Sequence, residues 1–221
     1  MMDELELLKK DWQKKDVDHP KLSYNEIHGM LWKKSFSIVK WIFVISLIEL
    51  LVPHLVYLFP SLWPSDGYEL YENLGLANPL FILSFLYYAV VAYFIFQFYK
   101  RYKEISVLEN AKSLMAKIIR TRKTVKNYIF FSLTMFLLMF MTVVFFIYIN
   151  DDFIHSLELS GKDISEISKE KLENLKFLSM IIVAAAGVVL TLLIGFIYFL
   201  LYGLLLKKLN SNYSELRKLE V

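Results

Sequence analysis

The 221-residue chain is 57% hydrophobic and 16% aromatic, carries 25 Lys and Arg against 22 Asp and Glu, and contains no cysteine. The missing thiols exclude disulfides, thiolate metal sites and cysteine nucleophiles. A net charge of only +3 in so apolar a chain argues against a nucleic-acid partner. Four apolar runs, residues 41–59, 80–99, 128–149 and 177–206, dominate instead, each close to or longer than the roughly 20 residues that cross a bilayer core as a helix.

At the amino end Leu5, Leu8 and Trp12 fall at helical spacings of three and four and give a short apolar edge, too short to be stable alone. Ser23 and Glu26 form an S-x-x-E capping box, with Leu22 placed to staple on Ile27. Nothing breaks the helix from there to Pro53, so the first span is predicted to begin as a polar stalk. Pro60, Pro64, Asp66-Gly67 and Asn78-Pro79 mark a loop carrying Trp63, Tyr68 and Tyr71, aromatic residues of the kind that settle in the headgroup layer. No Gly or Pro interrupts residues 80–160, which predicts helical extensions of spans two and three joined by a tight reversal. Gly161 offers a stop, and Asp163 with Glu166 a capping pair for the last helix. Beyond Leu206 the stripe Leu209, Tyr213 and Leu216 needs a partner, inside the chain or in another.

Lys and Arg number 8 in residues 1–40, none in 60–78, 9 in 100–126, 4 in 151–176 and 4 after Leu206. Basic segments stay in the cytoplasm, so both termini and the middle connection are expected inside. The first apolar run follows 40 largely polar residues and has no small-residue cleavage pattern, so it is expected to remain in the chain. The expected architecture is all-α: an integral membrane antiparallel four-helix bundle with helices extended into the cytoplasm. Its parts are an arm and stalk (1–35), a four-span domain (36–206) with a helical hairpin at 100–127, and a helical tail (207–221).

Glu49 is the one ionisable residue near the middle of a span. A charge there costs roughly 2.5 to 3.5 kcal/mol on insertion scales, so such residues face the bundle interior and often serve a function. Pro53 lacks an N–H and leaves the Glu49 carbonyl without its helical donor, and Ser46 sits one turn earlier on the same side. This constellation reads either as a proton or cation site or as a carboxylic acid that fixes helix register by hydrogen bonding a neighbour. In the last span Gly187, Thr191 and Gly195 repeat every four residues, a small-residue stripe that admits a second helix closely. Counting inward from the outer boundaries puts Thr191 level with Glu49. Spans one and four are therefore expected to pack there, with Thr191 or a Tyr of span two near the carboxyl. A homodimer along the stripe is the alternative. The histidines His19, His28, His54 and His155 are dispersed, and no phosphate-cradling loop or HExxH occurs, so neither a metal nor a cofactor is expected.

The stretches LLKKDW (7–12), LSYNEI (22–27), SIVKW (37–41), RTRKTVK (120–126) and YGLLLKKLN (202–210) resemble an uncharacterised family of small four-span bacterial membrane proteins, over nearly the whole chain. That family often carries the label beta-carotene monooxygenase, yet the clustered histidines such chemistry requires have no counterpart here. The resemblance implies residence in the bacterial cytoplasmic membrane and a signature concentrated at its cytoplasmic surface. The expected function is therefore non-enzymatic: a scaffold or regulator whose cytoplasmic helices bind a protein partner, with Leu5, Leu8 and Trp12 as contact residues. A small oligomeric proton- or cation-coupled transporter or channel using Glu49 is the second expectation.

Overall fold

The computed structural model describes residues 9, 23–56, 72, 75–106, 110–150, 153 and 168–219, and every regular element among them is helical. The arm residues Leu5, Leu8 and Trp12, the staple residue Leu22, the loop residues 60–71 and the capping pair Asp163 and Glu166 lie outside the described residues. Helix α1 (Tyr24–Val56) opens on the expected capping box. The Ser23 N–H donates to Glu26 Oε2 at 2.7 Å, and the Glu26 N–H donates back to Ser23 Oγ at 3.3 Å. The helix then continues without interruption through Pro53.

Helix α2 (Ala77–Ser106) starts earlier than its sequence suggests. Asn78 and Pro79, read as loop, form its first turn, where a missing N–H deprives the helix of nothing. Gly75, at a φ of 67°, turns the chain into it. Helix α3 (Ala111–Ile149) follows at once, its first turn capped by Asn110, whose Oδ1 accepts from the Ser113 N–H at 2.8 Å. Helix α4 (Lys169–Tyr198) widens into a single π-type turn at Phe199–Gly203 and continues as α5 (Leu204–Leu219).

Among the described residues, four helices are long and apolar enough to cross a membrane. Their outward faces carry Phe81, Phe130 and Leu192 at 71%, 73% and 68% exposure. Apolar faces of that extent fit a multi-pass membrane protein, whose solvent there is lipid.

The helix bundle is packed at its two ends. At the end rich in Lys and Arg, Leu31, Val39 and Ile42 of α1 meet Phe98 and Ile105 of α2, Ile118 and Val125 of α3, and Leu209 and Leu216 of α5. Polar clasps tie the same helices together. The Trp32 indole N–H donates to the Ile105 carbonyl at 2.8 Å and Lys117 Nζ to the Glu104 carbonyl at 2.7 Å, so both serve the open carbonyls that end α2. Asn212 donates to Ser35 Oγ at 3.0 Å, and Arg122 to Asn210 Oδ1 at 2.6 Å. The stripe Leu209, Tyr213 and Leu216 thus finds its partner inside the chain.

At the opposite end Leu76, Ile147 and Phe153 form a smaller core with Leu80, Met180 and Val183, to which α1 contributes nothing among the described residues.

Candidate functional site

Glu49 of α1 faces the end of α4 and the π turn that follows it. Its Oε1 accepts the phenol O–H of Tyr198, and its Oε2 accepts that of Tyr202 at 3.0 Å. The two tyrosines flank the first part of the π turn, one residue before it and one inside it. They lie one turn apart, so both hydroxyls reach one carboxyl. Tyr128 of α3, 1% exposed, packs against both rings, tilted on Tyr198 and edge-on to Tyr202, with centroids 6.2 and 6.0 Å away. Phe94 and Phe98 of α2 close the far side of Tyr128, each at 5.5 Å. The carboxyl is therefore held by hydroxyls that are themselves locked by aromatic packing.

From this cluster a cavity of about 590 Å³ opens between α1, α3 and α4. Glu49, Tyr87, Ser132 and Tyr198 supply its polar groups, and Ile45, Phe136, Met139 and Ile194 are among its apolar walls. Its rim includes Ile48, Val52, Ile197 and Leu201, all 42% or more exposed, so the opening faces the side of the bundle. Ser132 is 4% exposed, and its Oγ lies beside the phenols of Tyr87 and Tyr198 without a hydrogen bond of ordinary geometry to either. A buried hydroxyl so poorly bonded is uncommon, and here it lies on the wall of a space large enough for a ligand.

The other residues singled out by sequence are placed apart from the carboxyl. Ser46 is fully buried, but its Oγ donates to the Phe43 carbonyl of its own helix at 2.7 Å. Thr191 does the same with the Gly187 carbonyl at 2.7 Å, and it does not line the cavity. Pro53 lies inside α1, and its side chain is outside the described residues. The small-residue stripe packs on α3 instead of α1: a Cβ on Gly187 would stand 2.7 Å from Phe140 Cβ, and one on Gly195 would stand 3.6 Å from Leu133. The stripe licenses a close neighbour without saying which helix supplies it, and the covalently next span, α3, takes the place. Gly187→Ala should accordingly destabilise the protein by about 1–3 kcal/mol through overpacking against the root of a side chain. Gly195→Ala, entering an ordinary contact, should leave the thermal midpoint in detergent nearly unchanged.

The sequence points to a tyrosine of span two, and Tyr87 of α2 does line the cavity with Glu49; it does not single out the tyrosines of the last span. Tyr198 and Tyr202, one turn apart within an apolar run, are phenols that need an acceptor, and Glu49 is the nearest carboxyl in any span. That pairing was the available signal. Among the described residues no three His, Asp or Glu side chains converge as metal ligands do. What the arrangement can do is hold a carboxyl within apolar surroundings and offer it, with the Ser132 hydroxyl, to a molecule entering from the side.

No curated protein and no solved structure matches the chain. Residues 25–221 match the family described as a domain of unknown function, DUF8845, and the chain belongs to that family.

Proposed function

We propose that this chain is a non-enzymatic multi-pass protein that takes a lipid-soluble small molecule into the cavity at Glu49, as the binding step of a small transporter. The supporting observation is the cavity of about 590 Å³ lined by a carboxyl and by a Ser132 hydroxyl that makes no hydrogen bond of ordinary geometry. The four spans run antiparallel in a bacterial cytoplasmic membrane, with both termini and the α2–α3 connection in the cytoplasm. Support for this orientation comes from the Lys and Arg segments, 8 in residues 1–40 and 9 in 100–126 against none in 60–78.

The test is equilibrium binding of 1-pyrenemethanol, a neutral apolar alcohol, to protein in phosphatidylcholine nanodiscs, read as energy transfer from the tryptophans. Saturable binding that weakens at least tenfold in Ile45→Phe/Ile194→Phe, which fills the cavity, is the expected result. Non-saturable partitioning, identical in both proteins, would overturn the reading.

A second reading keeps the molecule as a scaffold or regulator with a cytoplasmic protein partner. It is favoured by Tyr24 and Met30, 49% and 46% exposed at the start of α1. Removing residues 1–22 separates the two readings, because occupation of the cavity does not depend on them.

A further inference from the structure

The chemistry of the cavity narrows the class of molecule it takes, an inference that rests on the binding reading above. Its walls are apolar, and among the described residues lining it no Lys, Arg or His accompanies Glu49. An ionised carboxylate at that depth has phenol O–H donors but no counter-charge, and buried charges persist when they are paired. The groups facing the carboxyl from the other helices are all phenols: Tyr198, Tyr202 and Tyr128, with Tyr87 of α2 on the same wall.

A ligand carrying one positive charge supplies what is missing. An anionic amphiphile would meet the carboxylate with like charge. A neutral alcohol could satisfy Ser132 yet leave the carboxylate unpaired. The Ser132 Oγ, 4% exposed and beside the phenols of Tyr87 and Tyr198, keeps lone pairs that can accept an ammonium N–H. The volume, about 590 Å³, suits an apolar body of drug-like size. The sideways opening, framed by Ile48, Val52, Ile197 and Leu201, matches a molecule that partitions into the bilayer first.

We propose that the cavity binds an amphiphilic amine in its protonated form, drawn from the bilayer, with the Glu49 carboxylate as counter-ion and Ser132 Oγ accepting an ammonium N–H. The binding is non-covalent, and the apolar body of the ligand rests on Ile45, Phe136, Met139 and Ile194.

The experiment compares two probes of the same shape, 1-pyrenemethylammonium and 1-pyrenemethanol, in nanodiscs of zwitterionic phosphatidylcholine, where no surface charge concentrates the cation. The wild-type protein should bind the ammonium at least tenfold more tightly than the alcohol. Glu49→Gln should remove that preference, bringing the affinities for the two probes to within about threefold of each other. Ser132→Ala deletes a hydroxyl that lies beside the phenols of Tyr87 and Tyr198 without a hydrogen bond of ordinary geometry; ammonium affinity should fall several-fold, with the thermal midpoint in detergent unchanged. Were the alcohol to saturate while the ammonium showed no preference, or a preference that survived Glu49→Gln, the amine assignment would be overturned and the binding reading would stand. Were neither probe to saturate, an acyl chain of the lipid would be the occupant, and both would fall.

Discussion

Leu209→Ala and Leu216→Ala should each cost about 2–5 kcal/mol, the range for emptying a fully buried leucine site. Both side chains are 0% exposed, held among α1, α2 and α3 at the end of the bundle rich in Lys and Arg. Because α5 extends past the apolar run and carries Lys207, Lys208, Arg217 and Lys218, the reference state for its leucines is water, and the full transfer term applies. The chain has no native cysteine, so a single Ser35→Cys reports on this packing alone; Ser35 is 0% exposed and bonds Asn212 of α5. Its maleimide labelling should accelerate about 100-fold for a loss of about 3 kcal/mol in either leucine variant. Lys208→Ala, on the exposed face, should leave the rate unchanged, and equal rates in all these backgrounds would mean that α5 is not part of the core.

Glu49→Leu should destabilise the membrane-spanning part by about 2 kcal/mol or more. It leaves the hydroxyls of Tyr198 and Tyr202 without their acceptor, at about 1–3 kcal/mol for each. The lower end of that range is the better guide, since polar groups within membrane helices find substitute partners. Adding Tyr198→Phe and Tyr202→Phe to Glu49→Leu should recover most of the loss, because the orphaned donors are then gone. Glu49→Gln keeps one carbonyl acceptor and should sit between the two. Thermal unfolding in one detergent across this set measures the coupling directly. Were the triple variant no more stable than Glu49→Leu, the hydroxyls would not be the source of the cost.

The spans were legible in the sequence because lipid demands long apolar helices, and the start of α1 because a capping box is a local device written in four consecutive residues. Glu49 stood out because an acid amid apolar residues has few explanations. Its partners did not, since the chain has 14 tyrosines and a phenol within a span reads equally as belt, packing or donor. Depth was misjudged for a related reason. The limits of an apolar run say how much helix can sit in lipid but leave tilt and offset open. Thr191, counted level with the carboxyl, lies seven residues from Tyr198, about 10 Å along the helix. Asn78-Pro79 misled because the same pair that ends a helix also suits the first turn of one. The α5 stripe announced a need for a partner, but only tertiary structure could say that α1, α2 and α3 supply it.

The last helix runs as one rod of 50 residues from Lys169 to Lys218, about 75 Å long and more than twice the thickness of a hydrocarbon core. It is gripped at Gly187 against Phe140 of α3, at Tyr198 and Tyr202 on Glu49 of α1, and at Leu209 and Leu216 in the core at the far end. One residue added between the grips would swing the far leucines about 100° around the axis. Seven added residues would nearly restore the phase but carry α5 about 10 Å past Ser35. The rod is cut like a key, to both length and angle, so this stretch tolerates exchange of its residues far better than any change in their number.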